Sequence, residues 1–268
     1  MLVQYSVNAE IGMNMTDFVN TKTLTSAPDF SGKVALVTGG GKGLGRACTI
    51  GLAAAGAKVI AVARTESDLK EVKSHNPDRI SYWADDVLED QLYSKIEELE
   101  QLDILVGCAG ANKPQPITDI TIETIDWLMA LNIRAIFRAS QSASRVMLKQ
   151  GSGSIINMSS QMGHIGAPNR TLYCTTKHAI EGLTKALAVE LAPKGIRVNA
   201  VAPTFIDTPF SRPMFENKEF KKTVENNIAL GHIGTVEDVA SAVIFLASSG
   251  AGMITGESLK VDGGWTAW

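Results

Sequence analysis

Seven short apolar runs with helical sequence between most of them constrain the fold of this 268-residue chain more than any other feature. The runs are Val34–Val37, Val59–Ala63, Ile80–Ala84, Ile104–Val106, Gly153–Met158, Ile196–Val201 and Ser258–Val261. Helical composition fills 44–55, 67–74, 89–99, 122–147, 173–191, 218–227 and 236–246. Strands that are mostly apolar and alternate with helices imply a parallel sheet covered on both faces, because crossover helices bury each side. The expectation is an α/β chain with a doubly wound, seven-stranded parallel sheet. Residues 1–30 lack such a period and are rich in Asn and Thr, so they read as an irregular N-terminal extension to an ordered domain at 31–268.

Composition narrows the function classes. Hydrophobic residues are 45% and charged residues 20%, ordinary for a globular protein with a full core. The net charge of −3 comes without a basic run, which speaks against nucleic acid and anionic membranes. No apolar stretch reaches the roughly 18 residues a membrane-spanning helix needs. Glu10 and Asp17 interrupt a segment with no basic-then-apolar pattern, so no secretory signal is read there. Cys48, Cys108 and Cys174 are odd in number and match no metal-knuckle spacing. They read as reduced thiols of a cytoplasmic protein, and no metal is expected.

The first apolar run opens onto Thr38-Gly39-Gly40-Gly41-Lys42-Gly43-Leu44-Gly45, just before a helix. Glycines permit a tight turn and close backbone approach to a pyrophosphate, and the helix start offers free N–H groups. The spacing Gly39-x3-Gly43-x-Gly45 departs from the usual Gly-x-Gly-x-x-Gly, but strand, turn and helix together point to dinucleotide binding. An acidic residue at the end of the second strand would select NAD. Arg64 and Thr65 stand there instead, and Lys42 supplies a second cation, so the expected cofactor is NADP(H), bound through its 2′-phosphate. Asp68 lies nearby, but on the following helix.

Tyr173 and Lys177 are four residues apart and share a face if helical. A free phenol titrates near ~10, too high to exchange protons readily at neutral pH, and a neighbouring ammonium is expected to lower it.

These features resemble the short-chain dehydrogenase/reductase family, over residues from about 31 to 268. The glycine turn is similar to the family's Thr-Gly-x-x-x-Gly-x-Gly, and Ser160 precedes Tyr173 by thirteen residues, as in the family. Asn132 stands where members carry a helix asparagine. Asp86-Val87 matches the pair that contacts adenine, and Ala109-Gly110 the segment after the fourth strand. Pro203, Ile206 and Thr208 match positions beside the nicotinamide. The resemblance implies a single-domain Rossmann fold. It implies Tyr173 as proton donor and acceptor, Ser160 as hydrogen-bond donor to the reacting oxygen, and Lys177 as holder of the ribose. Asn132 would anchor a water chain. Gly107-Cys108 replaces the family's Asn-Asn and Thr204 replaces a glycine, so a sheet-bracing asparagine is missing and the backbone beside the nicotinamide is less free.

Within the family, Lys42 with Arg64-Thr65, Ser159-Ser160-Gln161 and Pro203-Thr204 resemble the L-xylulose reductase and carbonyl reductase branch, which uses NADPH on sugars and dicarbonyls. The implied substrate is a small carbonyl or alcohol, and the family is commonly homotetrameric, here through helices 122–147 and 173–191. Gln161, His164 and Arg170 form either a polar pocket wall suited to hydroxyls or ordinary loop surface. Phe205, Phe210, Met214 and Phe215 belong to a lid or to simple packing. A 3-oxoacyl thioester reductase and a catalytically silent NADP-binding sensor are the alternatives. The first lacks an evident basic patch for an acyl carrier. The second has no need of all four of Ser160, Tyr173, Lys177 and Asn132.

Overall fold

The computed structural model describes residues 27–209 and 211–268. Most of the expected N-terminal extension, and Phe210, lie outside them. The strands are β1 (Val34–Thr38), β2 (Lys58–Ala63), β3 (Ile80–Ala84), β4 (Ile104–Gly107), β5 (Gly153–Met158), β6 (Ile196–Pro203) and β7 (Ser258–Val261). They form one seven-stranded sheet in the order β3-β2-β1-β4-β5-β6-β7, and every pairing is parallel. The helices are α1 (Gly43–Ala54), α2 (Glu66–Ser74), α3 (Asp90–Glu97), α4 (Ile122–Met129), α5 (Ala135–Gln150) and α6 (Thr171–Leu191). A short α7 (Arg212–Phe215), then α8 (Lys218–Asn227) and α9 (Val236–Ala247), complete the set.

The two-residue period of the strands divides the core. Ala35, Val37, Val59, Ile104, Val106 and Ile156 pack on one face with Leu52 of α1 and Val243 of α9. Leu36, Ile60, Val62, Leu105 and Ile155 face the other way, toward Ile96 of α3 and Val146 of α5. Both faces are therefore apolar, which is why the strands read as continuous apolar runs. Leu105 is fully buried, and truncating such a residue to alanine costs about 2–5 kcal/mol.

Sequence order reverses between β1 and β4, opening a crevice at the carboxyl ends of these strands, where open α/β sheets bind ligands. The expected helix over 122–147 is not continuous. A five-residue π turn, Ala130–Arg134, separates α4 from α5. Gly151, with φ of 69°, terminates α5 in the left-handed conformation that glycine adopts without strain. Among the described residues, no helix is long and apolar enough to cross a membrane, and no three His, Cys, Asp or Glu side chains are grouped to hold a metal.

Candidate active site

β1 delivers the chain into the glycine turn at the crevice. Gly39 has φ of 68°, and a Cβ there would stand 3.0 Å from the Ala109 backbone nitrogen. A Cβ on Gly45 would lie 2.2 Å from the Gly39 carbonyl oxygen. The turn therefore closes only with glycine at both places. Thr38 Oγ1 accepts hydrogen bonds from the N–H groups of Cys108 (3.1 Å) and Ala109 (3.3 Å), which ties the exits of β1 and β4 together. That hydroxyl braces the segment where the family's asparagine is absent. Lys42 begins α1 without a side-chain cap, so the first N–H groups of the helix stay available to an anion. This cradle fits a dinucleotide pyrophosphate, with Gly43, Leu44 and Gly45 forming the first turn of α1 and Ala109 and Gly110 across the crevice.

The cations expected at a 2′-phosphate lie on the rim, and each faces a carboxylate. Lys42 Nζ is 3.0 Å from Asp68 Oδ2, and Arg64 Nη1 is 3.9 Å from Asp86 Oδ2. The Lys42 and Arg64 side chains are 70% and 78% exposed, so both pairs are weak and exchangeable. By chain position Asp68 belongs to the first turn of α2, past the end of β2. The fold brings it to the glycine turn, where a Cβ on Gly41 would stand 3.3 Å from that of Asp68. Thr65 precedes α2 in extended conformation, makes no side-chain cap and is exposed. Asp86 Oδ1 accepts from the N–H of Leu88 (2.9 Å), and Val87 is buried beside it after β3.

The side chains expected to take part in proton transfer converge from three elements. Ser160 follows β5, and its hydroxyl accepts from the N–H of Met162 (3.2 Å). Tyr173 and Lys177 lie on α6. Lys177 is buried, and its Nζ donates to the Met158 carbonyl (2.8 Å) while standing 5.6 Å from the centroid of the Tyr173 ring. Asn132, in the π turn, is wholly buried. Its Oδ1 accepts from Ala111 N–H (2.9 Å), and its Nδ2 donates to Ala111 O (2.9 Å) and Thr176 Oγ1 (3.1 Å). A Cβ on Gly110 would stand 3.2 Å from Asn132 Oδ1 and 3.9 Å from Lys177 Nζ, so these groups share one corner.

The electrostatics correct one expectation. Lys177 does not bring the Tyr173 phenol down in this structure. Burial pushes Tyr173 up to about 12, opposed mainly by the nearby Ser160 hydroxyl. Burial also pulls Lys177 down to about 8, opposed by the charges of Cys108 and Glu181. Desolvation outweighs the attraction expected from the four-residue spacing, and the phenol stays protonated at neutral pH.

A cavity of about 180 Å³ opens over these groups. Ser160, Tyr173 and Leu44 line one part, and Phe205, Ile206, Thr208 and Met214 another. Phe205 sits in an aromatic cluster, with ring centroids 5.6 Å from Phe220, 5.7 Å from Trp265 and 6.3 Å from Phe215. Pro203 ends β6 immediately before this wall. Gln161 lines the cavity and is buried, yet among the described residues neither its Nε2 nor its Oε1 has a partner. Asn112 Oδ1 and Thr204 Oγ1 line the same cavity and are likewise buried without partners. Buried polar atoms are costly to leave unpaired, so three such groups on one wall mark a place for an oxygen-rich ligand.

His164 is not among the residues of this wall. Its Nε2 lies 3.0 Å from Ser258 Oγ and 3.4 Å from Glu181 Oε1, in a buried cluster that joins α6 to β7. The polar contacts of Ser258 and Glu181 draw the ring away from the cleft. Sequence reasoning missed Asn112, which belongs to no motif. It also missed the π turn, for which the continuous helical composition of 122–147 gives no signal.

A family model described as Enoyl-(Acyl carrier protein) reductase matches residues 39–266. L-xylulose reductase of Mus musculus is 39% identical over 238 residues, 88% of this chain and 98% of that protein. Carbonyl reductase [NADPH] 2 of Sus scrofa is 35% identical, over 89% of this chain and 98% of that protein. Among solved structures, a gluconate 5-dehydrogenase from Burkholderia cenocepacia in complex with NADP and tartrate superposes with a TM-score of 0.86. It is 31% identical, covering 90% of this chain and 97% of that one. With the glycine cradle, the parallel sheet and the Ser160, Tyr173 and Lys177 corner already in hand, these matches settle the family: the chain belongs to the short-chain dehydrogenases/reductases and is an NAD(P)-dependent oxidoreductase of CH–OH and carbonyl groups.

Proposed function

We propose that the chain reduces the carbonyl of a small hydroxylated ketone, such as a ketose, with NADPH, and oxidises the matching secondary alcohol in reverse. The observation that carries this reading is the convergence of Ser160, Tyr173 and Lys177 on a cavity whose wall holds the unpartnered polar atoms of Asn112, Gln161 and Thr204. When bound, NADPH supplies the hydride, two electrons and one proton, to the carbonyl carbon. Ser160 donates a hydrogen bond to the carbonyl oxygen, where negative charge grows. Tyr173 gives its phenolic proton to that oxygen, completing the alcohol, and the phenolate is reprotonated from solvent. Lys177 orients the ribose and supports the transient phenolate. Asn132 holds Ala111 and Thr176 in place, fixing the corner through which water reaches Lys177.

Lys42 and Arg64 support NADPH over NADH, by exchanging Asp68 and Asp86 for the 2′-phosphate. The named relatives include a carbonyl reductase that uses NADPH and a structure that holds NADP. Exposed Trp127, Phe137, Leu148 and Val189 on α4, α5 and α6 support a homotetramer built on these helices. A reducing cytoplasm suits the three free cysteines. The deciding experiment is a ketone and alcohol panel read by nicotinamide absorbance with both cofactors. Tyr173→Phe is expected to lower kcat by at least about 100-fold with NADPH affinity kept. Retained turnover in that variant removes Tyr173 from the mechanism.

A further inference from the structure

We infer that Arg170 is a carboxylate anchor and that, among the hydroxylated ketones proposed above, the cleft prefers an oxo acid to a neutral ketose. This rests on the hydride-transfer reading above and names the substrate class for it. Six buried side-chain polar atoms lack a partner among the described residues, and they belong to Asn112, Gln115, Gln161, Arg170 and Thr204. All five residues follow the carboxyl ends of β4, β5 and β6 or begin α6. Four of them are neutral, and hydroxyl groups or water satisfy such atoms. Arg170 differs because it carries a full charge.

Only 9% of Arg170 is exposed, and its Nε has no partner. Its one side-chain hydrogen bond is a long 3.4 Å contact from Nη1 to the Asn169 carbonyl. Among the described residues it has no carboxylate within ion-pair distance, whereas Lys42, Arg46, Arg64, Arg138, Arg145 and Arg212 each have one. A buried guanidinium without a counter-charge is costly, and a bidentate carboxylate is the partner its fork fits.

Arg170 is not itself in the lining of the cavity, but its charge stands near Tyr173, which is. Arg170 is the residue before α6 and lies three positions ahead of Tyr173; its charge lowers the phenol pKa against burial. Asn169 holds φ of 58°, the only positive value outside glycine among the described residues, so the loop is held in a conformation that costs energy in a side-chain-bearing residue. Its carbonyl accepts from Gln115 N–H (3.0 Å), which draws the segment bearing Asn112 against Arg170. The start of the 21-residue α6 has no side-chain cap and adds its dipole to the attraction for an anion. A carboxylate at Arg170 leaves the rest of the ligand to Asn112, Gln161 and Thr204, which suit hydroxyls.

The test compares 5-ketogluconate, D-fructose and fructose 6-phosphate as substrates with NADPH, in the wild type, Arg170→Met and Arg170→Lys. Tartrate binding to the NADP+-loaded protein, followed by intrinsic fluorescence, is measured beside it. The wild type is expected to favour the oxo acid in kcat/KM. Arg170→Met is expected to cut the acid-to-fructose ratio about 30-fold and to weaken tartrate, with Arg170→Lys in between. Wild-type preference for fructose or its phosphate, or an equal loss on acid and fructose in Arg170→Met, overturns the anchor while leaving hydride transfer intact. If no ketone is reduced at all, the parent reading fails. Tartrate binding then still decides: loss in Arg170→Met supports the anion site, and unchanged affinity overturns it.

Discussion

Gly45→Ala attacks the cofactor cradle with a single methyl group. The added Cβ would lie 2.2 Å from the Gly39 carbonyl oxygen, 2.7 Å from its carbon and 3.2 Å from Gly40 Cα. Real Cβ contacts essentially never fall below 3.0 Å, so the turn must open by about 0.8 Å. All three obstacles are backbone, and no rotamer change relieves them. Overpacking of this kind costs about 1–3 kcal/mol. If the strain falls on the cofactor-bound turn, NADPH affinity drops by about 5- to 150-fold; if it falls on the fold, Tm drops by about 2–4 °C for each kcal/mol. NADPH fluorescence titration and thermal unfolding of the same samples separate the two. An NADPH Kd within twofold of wild type, at unchanged Tm, would show that the turn is not closed as described.

Three further outcomes follow from the geometry. Arg64→Asp is expected to shift the ratio of kcat/KM values for NADPH and NADH at least tenfold toward NADH, and an unchanged ratio refutes the 2′-phosphate role. Carbonyl reduction is expected to hold level from pH 6 and fall above about pH 8. Burial lowers Lys177 to about 8, so its ammonium is lost as pH rises through that value, while Tyr173, raised to about 12, stays protonated. A kcat/KM profile level to pH 9.5 counts against the Lys177 ammonium. Gly182→Ala, within α6 and with open space around the new Cβ, is expected to raise stability by about 1 kcal/mol. Calorimetry that shows a lower Tm would mean the α6 surface is more crowded than one protomer reveals.

The strands were legible because a parallel sheet buried on both faces leaves a plain apolar signature, and all seven runs became strands. The glycine turn and the Tyr173-to-Lys177 spacing were legible because backbone approach and helical periodicity restrict residue type locally. What escaped depends on contacts between distant segments. Asp68 meets Lys42 only after α2 folds against the glycine turn. His164 is claimed by Glu181 and Ser258, seventeen and ninety-four positions away. The four-residue spacing signalled attraction between Lys177 and Tyr173 but carried no information on burial, which governs both pKa values. Asn112 became visible only as an atom without a partner.

The π turn at Ala130–Arg134 makes the length of this stretch as consequential as its composition. One surplus residue per wide turn offsets all that follows by about 100° of helical phase, since an α-helix advances one residue per 1/3.6 of a turn. Excising a single residue there would let α4 and α5 fuse into a regular rod. The same deletion would swing Asn132 off Ala111 and Thr176, or else turn the apolar face of α5 away from the sheet. Point changes in the stretch are absorbed locally, whereas insertions or deletions there set the helix core and the contacts of Asn132 against each other.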